Sequence, residues 1–408
     1  MYWIDAILLA ALFLICYTMT FHLILWFENR NHLYKRGYKK QKLPDLSLII
    51  PAYNESNGIL NTLKRLLKVN YPRNKLEVLV IDDGSEDNTY QIAKDFSKRH
   101  KFIKVFRKRH SGKAASINFG ILKAKNEFVG VMDADSHLTP NALLNCMKYF
   151  NSDDVAAVTT RILVKQKKTL LEKWQDIEFK IIALARKIKE SLNLIDVTPG
   201  PLSIYRKKAL IKVGMFDEKN LLEDMEIAWR LLKYGYKINM AYDAKVYTFY
   251  PGKFLAWLKQ RTRWHIGWLQ IITKYLNSIF KDHPVGTFLL PVALLSVAFQ
   301  AIVTGIIIYL FLTWLITMIY YIHNSLVLKI MPQIFYFDFQ PNIFTFYGIL
   351  FSILGIYFSL VILRQYKKGP RIFELMSFIF LYSYLPFLMV FVYSLFKILT
   401  RRYSWLTK

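Results

Sequence analysis

Two kinds of hydrophobic pattern divide this chain. Toward both ends apolar residues run on without interruption. In the middle they come in short runs separated by polar, amphipathic stretches. From Ala6 to Phe27 the run AILLAALFLICYTMTFHLILWF holds 22 residues with one ionisable group, His22. At about 1.5 Å per residue it reaches across a hydrocarbon core of about 30 Å. Its MYWID start and Trp26-Phe27 end read as a retained anchor rather than a cleaved signal. Between residues 43 and 250, the segments Leu46–Ile50, Val78–Ile81, Phe102–Phe106, Phe128–Met132 and Val155–Thr159 read as strands. Helical patterns at Gly58–Leu67, Thr89–Lys98 and Ala114–Ala124 lie between them. This succession predicts a parallel sheet covered on both faces.

Beyond residue 250 the pattern changes again. Lys253–Phe280 mixes Trp, Lys and Arg with apolar residues, as a helix lying in a membrane interface does. Val285–Ile322 has no charged residue in 38 positions, too many for one straight span, and predicts a tilt, a break or a fold back. Ile343–Leu363 is a 21-residue span, and Ile372–Phe396 is long enough to cross once more. The predicted organisation is an anchor over 1–28, a soluble α/β domain over 43–250, interfacial helices over 251–283, a membrane region over 284–400 and a basic tail over 401–408.

Charge sets the orientation. Arg30, Lys35, Arg36, Lys39, Lys40 and Lys42 follow the first span, so the positive-inside rule predicts a multi-pass cell-membrane protein with its soluble domain in the cytoplasm. Three crossings after that domain would put Arg401 and Arg402 outside, against the same rule. A hairpin at Tyr384-Leu385-Pro386, or a double crossing of the long segment, would remove the conflict.

Composition narrows the function classes. Of 408 residues 54% are hydrophobic and 21% charged, and mean hydropathy is +0.21, which excludes a disordered chain. Lys and Arg number 56 against 29 Asp and Glu, a net +27. That excess suits phosphate-rich ligands, nucleic acid or anionic membrane lipids. The basic residues flank membrane segments and no RNA-binding motif is present, so membrane lipids are the expected partners and nucleic acid is not. Two cysteines, Cys16 and Cys146, exclude a disulfide scaffold and a Cys-rich zinc site.

Acidic or polar clusters follow three of the predicted strands: Pro51-Ala-Tyr-Asn-Glu55, Asp82-Asp-Gly-Ser85 and Asp133-Ala-Asp135. Ligands of open α/β sheets bind outside the carboxyl ends of the strands, so all three face one crevice. Any one of them alone is equally what a turn or helix cap uses. Asp133 and Asp135 place two hard oxygen ligands together, which suits Mg²⁺ or Mn²⁺ completed by a diphosphate. Lys113, after Ser111-Gly112, is a point charge for phosphate or one more member of a solvated basic face. Glu223-Asp224 opens a helical pattern, Met225–Lys233; it is either a helix N-terminus or a general base for a hydroxyl. In Gln260-Arg-Thr-Arg-Trp264, Arg263 can bind diphosphate and Trp264 can stack on a sugar, or both anchor an interfacial helix. No Gly-x-x-x-x-Gly-Lys-Ser/Thr loop and no Gly-x-Gly-x-x-Gly follows a strand, which argues against P-loop hydrolysis and dinucleotide redox.

The ordered set PAYNE, DDGS, GK, DAD, ED and QRTRW resembles the processive family 2 glycosyltransferases, among them cellulose, hyaluronan, chitin and poly-N-acetylglucosamine synthases. It covers roughly residues 45–275. The resemblance implies a GT-A-like, Rossmann-type α/β domain with flanking transmembrane and interfacial helices. It implies that Tyr53, Glu55 and Asp83 hold the base and ribose of a nucleotide sugar. Lys113 would approach the diphosphate, and Asp133 and Asp135 would hold diphosphate and Mg²⁺ or Mn²⁺. Asp224 would be the base with Glu223 beside it, and Gln260 and Arg263 would close over the diphosphate. Trp264 would stack on the acceptor, and Gly200, in TPGPLSIYR, would line the acceptor site. The family commonly has Thr before Glu-Asp where this chain has Leu222, which puts support for the carboxylates in question.

The implied reaction is inverting transfer from a nucleotide sugar, expected to be a UDP-sugar, to elongate a β-linked polysaccharide coupled to export. The alternative is transfer of one sugar to a membrane lipid, as ceramide-glucosyltransferase-like enzymes do. A catalytically silent sugar-nucleotide sensor would have no need of Asp224. The acceptor is therefore a glycan or a lipid, and accessory export subunits are not identified by the sequence.

Overall fold

The computed structural model describes residues 43–328, 343–363, 369–382 and 385–400, together with residues 6, 9, 10, 13, 20 and 23–29. Most of the expected N-terminal anchor, the basic stretch after it, Cys16, Tyr384 and the basic tail lie outside the described residues.

The soluble part is built on eight strands: β1 (Leu46–Ala52), β2 (Leu76–Asp82), β3 (Ile103–Arg107), β4 (Phe128–Val131), β5 (His137–Leu138), β6 (Val155–Val164), β7 (Ser203–Arg206) and β8 (Lys237–Thr248). They form one sheet in the order β3-β2-β1-β4-β7-β6-β8-β5. Every residue of β1 and β2 is buried, as strands covered on both faces require. Alternation sorts their side chains. Ile49, Leu79, Ile81, Val129 and Val131 enter one core with Ile117 and Ile121, while Leu48, Ile50, Val78 and Val80 enter the other with Ile59 and Leu63. Gly120 lies against Ile49, where a Cβ would come within 2.6 Å of that side chain.

The expected parallel sheet holds for β3-β2-β1-β4. The other half corrects it: β7 is antiparallel to both β4 and β6, β5 is antiparallel to β8, and only β6 and β8 run parallel. The inserted β7 has four residues, too few to show a strand period.

The long segment does not break or fold back. A π-helical turn, Val285–Leu289, leads directly into the helix Leu290–Val327. Val285–Val327 and Ile372–Leu399 are the two stretches long and apolar enough to cross a membrane among the described residues. At about 1.5 Å per residue the first is a rod of about 64 Å, longer than tilts of up to about 40° can fit within a hydrocarbon core.

The helix Phe254–Tyr275 joins the two parts. Its Trp257 is fully buried in a cluster with Ile177, Phe378, Tyr382 and Val390, so it packs on the helix Leu170–Glu190 and on the C-terminal helices together.

Candidate active site

The first two strand ends are laced to each other. Asn54 adopts φ 53°, in the left-handed region that Asn tolerates. Its N–H donates to Ser85 Oγ at 3.0 Å and its Oδ1 accepts from the Glu86 N–H at 3.0 Å. The Glu55 N–H donates to Thr89 Oγ1 at 2.7 Å. Gly84 has φ 76°, and a Cβ there would lie 2.9 Å from the His110 nitrogen. This close approach brings the loop 108–112 onto Asp83. The Asp83 carboxylate accepts from the N–H groups of Ser111 (3.1 Å) and Gly112 (2.8 Å), lies 2.9 Å from His110 Nδ1 and is paired with Lys108. His110 stacks on Tyr53 with ring centroids 4.2 Å apart. Tyr53 and Asp83 thus share one wall, with Asp83 buried and ordering the loop.

Lys113 begins the helix Lys113–Lys123, immediately after that loop. Its Nζ is 2.6 Å from Asp133 Oδ1 and 3.2 Å from Glu223 Oε1. One cation therefore ties the carboxylate after β4 to the one opening the helix Glu223–Lys233. Burial alone would lower the Lys113 pKa, but Asp133 and Glu223 outweigh it and hold the ammonium charged. Gly200 closes the cluster from above. Its carbonyl accepts the Asp133 N–H at 3.0 Å, and a Cβ would fall 2.7 Å from Lys113 Nζ and 2.8 Å from Asp133 Oδ1. A side chain here would displace the Lys113–Asp133 ion pair.

Two carboxyls carry excess negative field. Burial, then the charges of Asp133 and Glu55, push Asp135 up to about 6. Burial and the adjacent Glu223 push Asp224 up to about 6, while Lys113 and Arg263 pull the other way. The Asp224 backbone is pinned: its carbonyl accepts from Thr198 N–H (3.1 Å) and Thr198 Oγ1 (2.7 Å).

The question raised by Leu222 has a steric answer. Gly267 of the helix Phe254–Tyr275 lies against Leu222, where a Cβ would come within 2.5 Å of Leu222 Cγ. Leu222 therefore seats the start of the carboxylate helix by packing instead of by a hydroxyl. Farther along, fully buried Glu226 is held by Arg230, by Lys274 at 2.6 Å and by the Tyr275 hydroxyl at 3.0 Å.

QRTRW lies on the helix Phe254–Tyr275. Arg263 is close enough to Asp224 for its charge to act there. Gln260 presents a buried amide oxygen with no hydrogen-bond partner among the described residues. Trp264 carries the Arg261 guanidinium over its ring at 4.4 Å and lies perpendicular to Phe179, with ring centroids 6.4 Å apart.

Lys113, Asp133, Glu223 and Gly200 thus come into contact, with Asp135, Asp224 and Arg263 in electrostatic range. Tyr53 and Asp83 form a separate wall. Sequence reasoning missed Glu178, which takes Arg261 in a bidentate pair, and His110. Arg261 sits inside QRTRW, but its partner is 83 residues away and has no local signal.

A mixed sheet with acidic strand ends converging on one crevice is the architecture of a GT-A-like domain. A mannosyltransferase from Pyrobaculum calidifontis, solved in complex with GDP-Man and Mn²⁺, shares this fold over 88% of the present chain and 99% of its own, with a TM-score of 0.55 at 20% identity. Residues 47–214 match the family described as glycosyl transferase family 2, and this segment is a glycosyl transferase family 2 domain. A poly-beta-1,6-N-acetyl-D-glucosamine synthase of Staphylococcus epidermidis is 30% identical over 264 residues, 64% of this chain and 63% of that protein. A probable glycosyltransferase of Bacillus subtilis is 31% identical over 252 residues, 59% of each chain. The chain thus spans about 60% of the length of these curated relatives.

Proposed function

We propose that the protein is a membrane-embedded, inverting glycosyltransferase that elongates a β-linked polysaccharide from a UDP-sugar on the cytoplasmic side. The observation that carries this is Lys113, which joins Asp133 to Glu223 beside Asp224. Diphosphate binding and proton removal are thereby brought to one point. The named activity of the staphylococcal relatives makes UDP-N-acetylglucosamine the donor to test first and favours a polymer over a glycolipid.

In this reading Tyr53, Glu55 and Asp83 hold the nucleoside, and Lys113 lies under the diphosphate. Gln260 and Arg263 close over it. The charge of Arg263, which acts at Asp224 from the same helix, supports that assignment. Asp224 takes the proton of the acceptor hydroxyl as its oxygen bonds to the anomeric carbon. The bond from that carbon to the diphosphate oxygen breaks on the opposite face, so the centre inverts. Trp264, with one face under Arg261, offers the other to the acceptor sugar.

Asp133 and Asp135 fit a hard divalent cation. Burial first, and then the charge of Asp133, raise the Asp135 pKa; a cation would relieve both, and diphosphate oxygens would complete the shell. No group of three or more His, Cys, Asp or Glu donors is assembled among the described residues. Such an ion supplies charge neutralisation for the departing diphosphate.

The test incubates detergent-purified protein with UDP-N-acetylglucosamine and Mg²⁺ or Mn²⁺, and with excess EDTA in parallel. Expected is a metal-dependent, high-mass product. A single-sugar lipid product would establish the glycolipid alternative, and full turnover in EDTA would remove the metal from the reaction.

A further inference from the structure

The helix Leu170–Glu190 carries several cations buried in the protein, and most have partners. Lys180 pairs with Asp176 at 2.7 Å, and Lys187 donates to the Met240 carbonyl at 3.0 Å. Arg186 differs. It is 6% exposed, yet it makes no hydrogen bond or ion pair among the described residues, and its Nε is wholly shielded from solvent. A guanidinium has five N–H donors and no acceptor, and leaving it buried and unsatisfied opposes folding.

The surroundings of Arg186 identify what it awaits. The carboxylates whose charge reaches it are Asp196 and Asp224, and the neutral Tyr250 hydroxyl is its third electrostatic neighbour. Asp224 is the base of the proposed reaction. Asp196 lies on the loop that continues through Thr198 to Gly200, and it is already paired with Lys189 at 2.9 Å. Tyr250 stacks on Phe179, which in turn meets Trp264. Arg186 therefore stands within electrostatic reach of Asp224, on the helix whose Phe179 meets Trp264. Burial lowers its pKa, and the fields of Asp196 and Asp224 compensate only in part. What it lacks is oxygen atoms at hydrogen-bond distance.

We propose that Arg186 is an acceptor-binding residue, donating through its guanidinium fork to hydroxyl and acyl-carbonyl oxygens of the sugar whose hydroxyl faces Asp224. This rests on the glycosyltransferase reading above and extends it to a residue outside the family's motifs. A fork that must meet two oxygens at once selects acceptor orientation, which a point charge does not.

The experiment uses the full chain in detergent, with UDP-N-acetylglucosamine as donor and a short β-1,6-linked N-acetylglucosamine oligosaccharide as acceptor. It compares wild type with Arg186→Lys and Arg186→Met. Both variants should raise the acceptor KM by roughly tenfold or more while UDP affinity stays within about twofold, since Lys keeps the charge but not the fork. Arg186→Met should at the same time hold or raise Tm, because it removes a buried charge that has no partner in the free protein. A purely structural arginine would do the reverse, losing Tm with acceptor KM unchanged. Wild-type transfer together with variant acceptor KM values within twofold overturns the assignment alone. A wild-type protein that binds UDP but transfers to no acceptor overturns the glycosyltransferase reading and this inference with it.

Discussion

Arg261 and Glu178 form a bidentate ion pair, 2.8 and 2.7 Å, between the helix Phe254–Tyr275 and the helix Leu170–Glu190. Arg261 is buried, and the Tyr382 hydroxyl donates to the same carboxylate at 2.8 Å while accepting from Trp257 Nε1 at 2.9 Å. The pair thus bolts the helix bearing QRTRW to the catalytic domain and to the C-terminal helices at once.

Removing one member of a buried pair leaves the other charge stranded, at about 3–5 kcal/mol. Glu178→Gln should accordingly lower Tm in detergent by several degrees. UDP affinity should fall as well, because Gln260 and Arg263 are carried on the helix that the pair holds in place. The double variant Glu178→Leu/Arg261→Met should recover much of the loss. A Glu178→Gln protein with wild-type Tm would show that the pair is not a structural joint.

Gly200→Ala tests the crowding over the cluster. A Cβ would meet Lys113 Nζ at 2.7 Å and both Asp133 oxygens within 2.9 Å. Either the ion pair or the loop must shift. Affinity for the UDP-sugar should fall by roughly tenfold, about 1.4 kcal/mol, with Tm nearly unchanged. Isothermal titration with UDP reads this directly, and unaltered affinity would mean that the loop yields freely.

Strands β1, β2 and β4 were legible because a strand covered on both faces is a largely apolar run, and a polar or acidic cluster marks where each one ends, whereas β3 is a partly exposed edge strand that ends in basic residues. β8 alternates buried and partly exposed positions, yet its Tyr- and Lys-rich sequence hid the period and no strand was predicted there. β7 offers too few residues for any pattern. At the site, residue types and order were enough to assemble Lys113, Asp133 and Glu223. The Glu178–Arg261 pair and the seating of Leu222 on Gly267 were not legible. Both depend on contacts between residues far apart in sequence, and a lone Leu in place of Thr reads as a loss until the glycine opposite it is seen.

The raised pKa of Asp224 makes activity pH-dependent. A base must be ionised, so kcat/KM should fall on the acid side with an apparent pKa near 6. Stability follows the opposite sign. The folded pKa lies above the ordinary aspartate value, so as pH rises the unfolded chain releases this proton first. Stability from this group is therefore full below about 4 and lost as pH rises through about 6. Asp224→Asn should be at least as thermally stable as wild type at neutral pH, with that advantage vanishing below about pH 4. Transfer should drop by at least ~10²-fold with UDP binding nearly intact. A variant that turns over normally would make Asp224 a helix-terminus residue only.

Arg263 and Trp264 are neighbours that should fail differently. The charge of Arg263 acts at Asp224, and in the proposed reading its guanidinium binds diphosphate oxygens. Arg263→Ala should therefore raise the UDP dissociation constant. Trp264 is held by Arg261 over its ring and by a perpendicular contact with Phe179, which fixes the indole plane before any acceptor arrives. Trp264→Ala should leave UDP affinity within a few-fold yet abolish elongation, because the acceptor terminus is no longer positioned for attack. It also strips Arg261 of its aromatic cover, so part of any defect is structural. Trp264→Phe separates the two effects: it keeps a ring beneath the guanidinium, should restore most of the lost Tm, and should recover elongation only in part because the stacking face is smaller. A well-folded Trp264→Ala protein that binds UDP and elongates at the wild-type rate would show that the indole is a packing element of the helix and takes no part in holding the acceptor.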